Sequence, residues 1–157
     1  MAFDLHCHTV FSDGSTDIKS LLYAAKRAEL TGIAITDHDT FEGYYKALKL
    51  NKEYKLNLIK GIEISTIDKS RGKKAHILCY NPKETGVLND IISEITKKRF
   101  EAMRESIRIL ETKYPISFEM VMKNKKEAIG FDRHMKDSEI IRRMSKYLKL
   151  LTRLQRN

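Results

Sequence analysis

The chain has 157 residues, 41% hydrophobic and 32% charged, which suits one soluble domain with a real core. No apolar run approaches the ~20 residues of a membrane span. Met1 leads directly into Asp4 and His6 with no basic-then-apolar leader, so a cytoplasmic protein is expected. Cys7 and Cys79 are too few for a disulfide framework and match no zinc ribbon; both are expected as buried free thiols. The net charge is +9, and residues 97–157 carry all of it, with 17 basic against 8 acidic residues. Such a surface suits a phosphate-bearing ligand, although a solvated lysine-rich helix face reads the same way.

Phe3 to His8 reads as a short buried strand, followed by a loop through Ser12-Asp13-Gly14-Ser15. Ser15 or Thr16 is expected to cap a helix running to about Leu30, with Gly32 just past its end. Ile33 to Thr36 is a second strand, Phe41 to Tyr54 a second helix and Leu56 to Ile64 a third strand. Thr66 to Lys74 reads as a polar, hairpin-like connection, and Ala75 to Tyr80 as a fourth strand. The order β-α-β-α-β-β argues for an α/β architecture with a mainly parallel sheet. One long amphipathic helix follows from about Thr85 to Tyr114, stopped by Pro115. A short helix over 118–125 and a last one bearing Ile140, Met144, Leu148 and Leu151 complete the reading. The expected division is 1–84, the α/β part, and 85–157, a basic helical part.

The chemistry concentrates in the histidines. Four of the five, His6, His8, His38 and His76, fall into one pattern with carboxylates, and His6, His8, His38 and Glu63 lie at or near strand ends. His6 and His8 are two apart on a strand and so share a face, while Cys7 points the other way into the packing. In parallel α/β sheets ligands bind beyond the carboxyl ends of the strands. Imidazole with carboxylate suits Zn, Mn or Fe, and metal-dependent hydrolysis is the leading expectation.

Asp4-Leu5-His6-Cys7-His8-Thr9, Ser12-Asp13-Gly14, Thr36-Asp37-His38-Asp39, Gly61-Ile62-Glu63-Ile64-Ser65 and His76-Ile77-Leu78 resemble, in order, the first four motifs of the PHP (polymerase and histidinol phosphatase) family. Within it the chain looks most like the bacterial branch of nucleotide phosphatases and short-oligonucleotide 5′→3′ exonucleases. The resemblance covers roughly residues 1–121. It implies the first part of a distorted (β/α)7 TIM-like barrel with a helical insertion, the barrel being incomplete in this chain. It also implies up to three divalent ions (Mn, Zn or Fe). His6 and His8 would hold the first, Glu63 would bridge the first and second, His76 would hold the second, and Asp13 with His38 the third. Family members add a later His and an Asp-x-His pair; Asp132 and His134 match that last pair only superficially.

The implied activity is hydrolysis of a phosphomonoester or terminal phosphodiester in a phosphorylated small molecule or short oligonucleotide. Arg99 and Arg104, on the insertion, are candidates to hold a second phosphate. Asp37 and Asp39 are expected to cap the following helix or to orient His38 from behind. The alternative is a catalytically weak or inactive module that binds metal or nucleic acid. A half-barrel also leaves an unpaired sheet edge through which the chain could self-associate.

Overall fold

The computed structural model describes residues 1–112 and 117–119. The chain divides into two units, Met1–Ile92 and Ser93–Asn157. In the first, β1 (Phe3–Cys7), α1 (Ile18–Arg27), β2 (Gly32–Ile35), α2 (Glu42–Leu50), β3 (Asn57–Asp68) and β4 (Lys73–Tyr80) follow in order. They form one four-stranded sheet, ordered β1-β2-β3-β4. β1, β2 and β3 are parallel, and β4 returns antiparallel against β3. The α/β expectation with a mainly parallel sheet therefore holds. The Tyr80 hydroxyl, on β4, donates to the Leu5 carbonyl on β1 at 2.8 Å, across the two strands between them.

The core lies between this sheet and α1 and α2. β2 is buried along its whole length, as a central strand must be. Ile18, Leu22 and Ala25 recur at helical spacing and form the buried stripe of α1. They pack with Cys7, Ile33, Ile35, Ala47 and Leu56. Leu22 is fully buried, which contributes about 2 kcal/mol by area removed from water.

Several boundaries differ from the sequence reading. The N-cap of α1 is Asp17, not Ser15 or Thr16: its carboxylate accepts the Ser20 amide at 3.1 Å. The helix ends before Gly32 is reached. Glu29 takes φ 55°, its amide donates to the Lys26 carbonyl, and the Leu30 amide to that of Ala25. This double bond pattern is the usual close of a helix on a left-handed residue, with Glu where Gly is commoner. Gly32 instead sits inside β2, where a Cβ would fall 2.3 Å from the Asn57 carbonyl oxygen. The polar segment expected as a loop over 66–74 is mostly sheet, since β3 runs on to Asp68 and β4 begins at Lys73. Gly72, at φ 63°, serves the remaining tight turn.

α3 (Gly86–Glu111) matches the expected long helix. In the second unit Ile107 is buried. The Phe100 and Phe118 rings meet edge to face with centroids 6.2 Å apart, and the Phe118 amide donates to the Glu111 carboxylate at 2.8 Å. The stop at Pro115, most of the helix expected over 118–125, the last helix, the side chain of Met103, and Asp132 and His134 lie outside the described residues. No helix among the described residues is long and apolar enough to cross a membrane.

Candidate metal centre

The six predicted ligands come from four places in the first unit. His6 is on β1, and His8 and Asp13 lie in the loop after it. His38 follows β2, Glu63 is on β3 and His76 on β4. β1 does not alternate strictly. Asp4 pairs with Ile33 and Cys7 with Ile35, so β1 carries one residue more than β2 over that span. Such a bulge re-aims side chains. Here it keeps Cys7 in the core while His6 and His8 converge on one point. Burial pushes the Cys7 thiol up to about 12, with the nearby Asp4 adding to the shift. Cys7 is thus an inert packing thiol; Cys79 is only partly buried.

Glu63 is the hub. Its Oε2 lies 2.9 Å from His6 Nε2 and 2.8 Å from His8 Nε2, and those two nitrogens are 2.9 Å apart. Its Oε1 lies 2.8 Å from His76 Nδ1. The sheet register explains this contact. Glu63 pairs with Leu78 and Ser65 with His76, so Glu63 and His76 are diagonal neighbours on one face. Asp13 Oδ1 is 3.1 Å from His8 Nδ1, and its Oδ2 is 3.7 Å from His38 Nε2. The rings of His6, His8, His38 and His76 form an unbroken row with centroids 4.7–4.9 Å apart.

Three overlapping donor groups result: His6, His8 and Glu63; His8, Asp13 and His38; His38, Glu63 and His76. The first suits a divalent ion on geometry. Around an ion with bonds of about 2.1 Å, neighbouring donors stand about 3.0 Å apart in an octahedron and about 3.4 Å in a tetrahedron. The observed triangle has sides of 2.8–2.9 Å. In the second group one imidazole cannot spend both nitrogens as ordinary ligands. With His8 Nε2 facing Glu63, its Nδ1–H is the natural donor to Asp13, which fixes ring orientation. Asp13 Oδ2 and His38 then stay available to each other.

The electrostatics agree. The Asp13 carboxylate raises the pKa of His8 above the usual histidine value despite partial burial, and His8 in turn holds Asp13 well below the usual carboxylate range. Burial lowers the pKa of His38, against the pull of Asp13 and Glu63. Burial pushes Glu63 up, but His6, His38 and His8 together outweigh it and leave it below its ordinary value. Glu63 is therefore an anion at neutral pH. His38 Nδ1 is buried and meets no hydrogen-bond partner among the described residues. Such an orphan costs about 1–3 kcal/mol and often marks a functional position.

Asp37 and Asp39 hold the segments that carry the donors rather than a helix end. Neither caps α2, whose N-cap is Phe41 with no side-chain bond. Asp37 is fully buried. It accepts the Thr9 amide at 2.7 Å, the Thr9 hydroxyl at 2.7 Å and the Ser12 hydroxyl at 2.6 Å. It thereby clamps the loop that carries His8 and Asp13. Asp39 takes φ 53°, a strained conformation that Asp tolerates better than most residues. Its Oδ1 accepts the Ser65 amide at 2.8 Å and its own amide donates to the Glu63 carbonyl at 3.0 Å, so the His38 segment is tied to β3. Sequence reasoning missed the partners Thr9, Ser12 and Ser65, which lie 25 to 28 residues from the acids they bind.

Gly43 completes the clamp. A Cβ there would fall 2.1 Å from Asp37 Oδ2 and 3.1 Å from Thr9 Oγ1. On an open helix Gly→Ala stabilises by up to about 1 kcal/mol. Here Gly43→Ala is expected to destabilise by about 2 kcal/mol, which urea denaturation measures; a stabilised variant would contradict the packing.

Arg99 and Arg104 lie on α3 in the second unit. The Arg104 guanidinium sits over the Phe118 ring, 5.9 Å from its centroid.

Comparison with known proteins fits the donor pattern. The chain is 29% identical over 124 residues to the phosphoribosyl 1,2-cyclic phosphate 1,2-diphosphodiesterase of Eggerthella lenta, covering 78% of this chain and 47% of that protein. It is 38% identical over 91 residues to a 5′-3′ exoribonuclease of Haemophilus influenzae, covering 55% of this chain and 32% of the relative. Among solved structures, a proposed metal-dependent phosphoesterase from Bifidobacterium adolescentis superposes with a TM-score of 0.71 at 29% identity, covering 83% of this chain and 46% of that one. An amidohydrolase from Chromobacterium violaceum, at 20% identity and TM-score 0.68, shares the fold over 98% of this chain and 54% of its own. The chain thus spans about half the length, or less, of these proteins. Its curled four-stranded sheet forms a partial TIM-like α/β barrel. With the PHP domain model matching residues 4–152, the chain belongs to the PHP domain family.

Proposed function

We propose that this chain carries the divalent-metal centre of a phosphoesterase acting on a phosphomonoester or terminal phosphodiester of a nucleotide or short oligonucleotide. The observation that carries the reading is the convergence of three imidazoles on the two oxygens of Glu63. In the proposed assignment His6, His8 and Glu63 hold a first ion, Glu63 and His76 a second, and Asp13 with His38 a third. Mn, Zn and Fe are all compatible with a mixed imidazole and carboxylate donor set. Divalent ions so held supply Lewis acidity toward a phosphoryl oxygen and lower the pKa of water.

The chain's own contributions are positional. Glu63 holds both ends of the imidazole row at one anionic point. Asp13 orients His8, Asp37 clamps their loop, and Asp39 fixes His38 against β3. Arg99 and Arg104 are proposed contacts for a second phosphate, supported by the basic excess of residues 97–157. Relatives named for ribonuclease and cyclic-phosphate diesterase activity support a substrate with a ribose phosphate. Two free thiols support a cytoplasmic setting. β1 and β4 each present an edge unpaired among the described residues, and the proposal extends to self-association there.

The test is phosphate release from a nucleoside 3′,5′-bisphosphate and from a 5′-phosphorylated dinucleotide, with Mn²⁺ and with chelator. Release is expected only with metal, and His8→Ala is expected to abolish it. Turnover unchanged in His8→Ala would refute the assignment. Metal-independent, salt-sensitive binding of RNA without turnover would favour the binding module instead.

A further inference from the structure

The β3–β4 hairpin does not stop at the metal donors. Its register is unbroken from the Gly61–Tyr80 pair to the Asp68–Lys73 pair. Paired residues share a face, and faces alternate along each strand. Glu63, Ser65 and Ile67 therefore share a face with Leu78, His76 and Lys74. Lys74 and Ile67 are direct partners, one non-adjacent pair beyond His76. Lys74 stands two residues from a donor, about 7 Å along the strand, on the side where the donors gather.

Both members of this pair face solvent. Ile67, next to last in β3 and beside the turn, is 55% exposed. Lys74 is exposed and enters no ion pair among the described residues. The hairpin's other cations differ. Arg71 is held by Asp68 at 3.8 Å. Lys73 pairs with Asp68 in the register and lies on the opposite face. Lys60 on β3 pairs with Glu84, and Lys69 lies in the turn beyond the ladder. Within the paired β3–β4 residues, Lys74 is thus the cation on the donors' face. Arg99 and Arg104 belong to the second unit.

Building on the phosphoesterase reading, we propose that Lys74 and Ile67 form a substrate subsite beside the metal centre. Lys74 takes a second phosphate of the substrate and Ile67 offers apolar surface to the attached nucleoside. A cation poised one flexible side chain from the reacting phosphate discriminates substrates that carry two phosphates from those that carry one. A point charge on a four-carbon stem suits a phosphate whose spacing varies. The exposed Ile67 side chain beside Lys74 is the apolar surface such a nucleoside would cover.

The full chain is assayed with Mn²⁺ on adenosine 3′,5′-bisphosphate and adenosine 5′-monophosphate. Equilibrium binding of both compounds is measured in parallel, with and without Mn²⁺. Lys74→Ala is expected to raise KM and Kd for the bisphosphate about tenfold, the worth of one charge-assisted contact. The monophosphate values and kcat should stay within about twofold. Lys74→Arg should retain most of the binding. Lys73→Ala, which removes the same charge from the other face, should change neither compound. Equal effects of Lys74→Ala and Lys73→Ala would overturn the subsite, since they would report only the general field. So would loss of bisphosphate preference in Arg99→Ala or Arg104→Ala but not in Lys74→Ala. A wild-type chain that binds the bisphosphate through Lys74 yet releases no phosphate would refute the phosphoesterase reading and leave the subsite standing.

Discussion

Glu63→Gln is expected to lower affinity for Mn²⁺ or Zn²⁺ by at least about 100-fold while leaving the fold intact. Loss of a residue that merely orients a ligand costs 10- to 100-fold, and Glu63 faces three imidazoles directly. Glutamine has the same shape but no charge and a single acceptor oxygen. Its NH2 group must face either the His6–His8 pair or His76, so one group loses its anionic donor whichever way the amide turns. The main-chain links of Glu63, its amide to the Asp37 carbonyl at 3.2 Å and its carbonyl to the Asp39 amide at 3.0 Å, are untouched. Calorimetric titration of wild type and variant reads the effect, with circular dichroism as the check on folding. Affinity within about threefold of wild type would remove Glu63 from the ligand set.

Asp37→Ala is expected to have the largest effect on stability. The substitution leaves the Thr9 amide, the Thr9 hydroxyl and the Ser12 hydroxyl without their acceptor in a buried place. Stranded buried donors cost about 1–3 kcal/mol each. Relief from burying the carboxylate offsets part of that, so a net loss of about 3 kcal/mol is expected. This is a large share of the 5–15 kcal/mol that ordinary domains possess. The same loop carries His8 and Asp13, so metal affinity should fall along with stability. Asp37→Asn keeps the shape and one acceptor oxygen, and should lie between wild type and Asp37→Ala in a urea titration. An Asp37→Ala protein as stable as wild type would show that the clamp contributes nothing.

The candidate ligands were legible because their spacing is local. Asp4-Leu5-His6-Cys7-His8 and Thr36-Asp37-His38-Asp39 each place donors at a strand end, and parallel topology brings strand ends together. The structure gathers His6, His8, Asp13, His38, Glu63 and His76 into overlapping groups within one unit. What resisted reading depends on partners far along the chain. The bulge in β1 exists only relative to β2. The clamping role of Asp37 needs Thr9 and Ser12, and the link from Asp39 needs Ser65. Two local signals also misled. Gly32 looked like a helix stop, yet Glu29 ends α1 and Gly32 serves a close strand approach. The polar run over 66–74 looked like a loop because its charges face solvent, although its backbone continues the β3–β4 ladder almost to the turn.

The split in charge is plain in the sequence, and its meaning is not. Residues 97–157 hold the whole excess, but a basic helix is equally a solvated surface or a phosphate contact. Lys74 emerged only once the hairpin register was known, because nothing in a run of lysines says which of them shares a face with His76.

The whole reading depends on imidazole and carboxylate groups from four segments binding divalent ions at one place. Crystals soaked in Mn²⁺ and measured for anomalous scattering test this directly. A peak within about 2.3 Å of His6 Nε2, His8 Nε2 and Glu63 Oε2 is expected, with further density between Glu63 and His76. Saturating Mn²⁺ that leaves no peak at those atoms, with the side chains as close together as they are here, would contradict it.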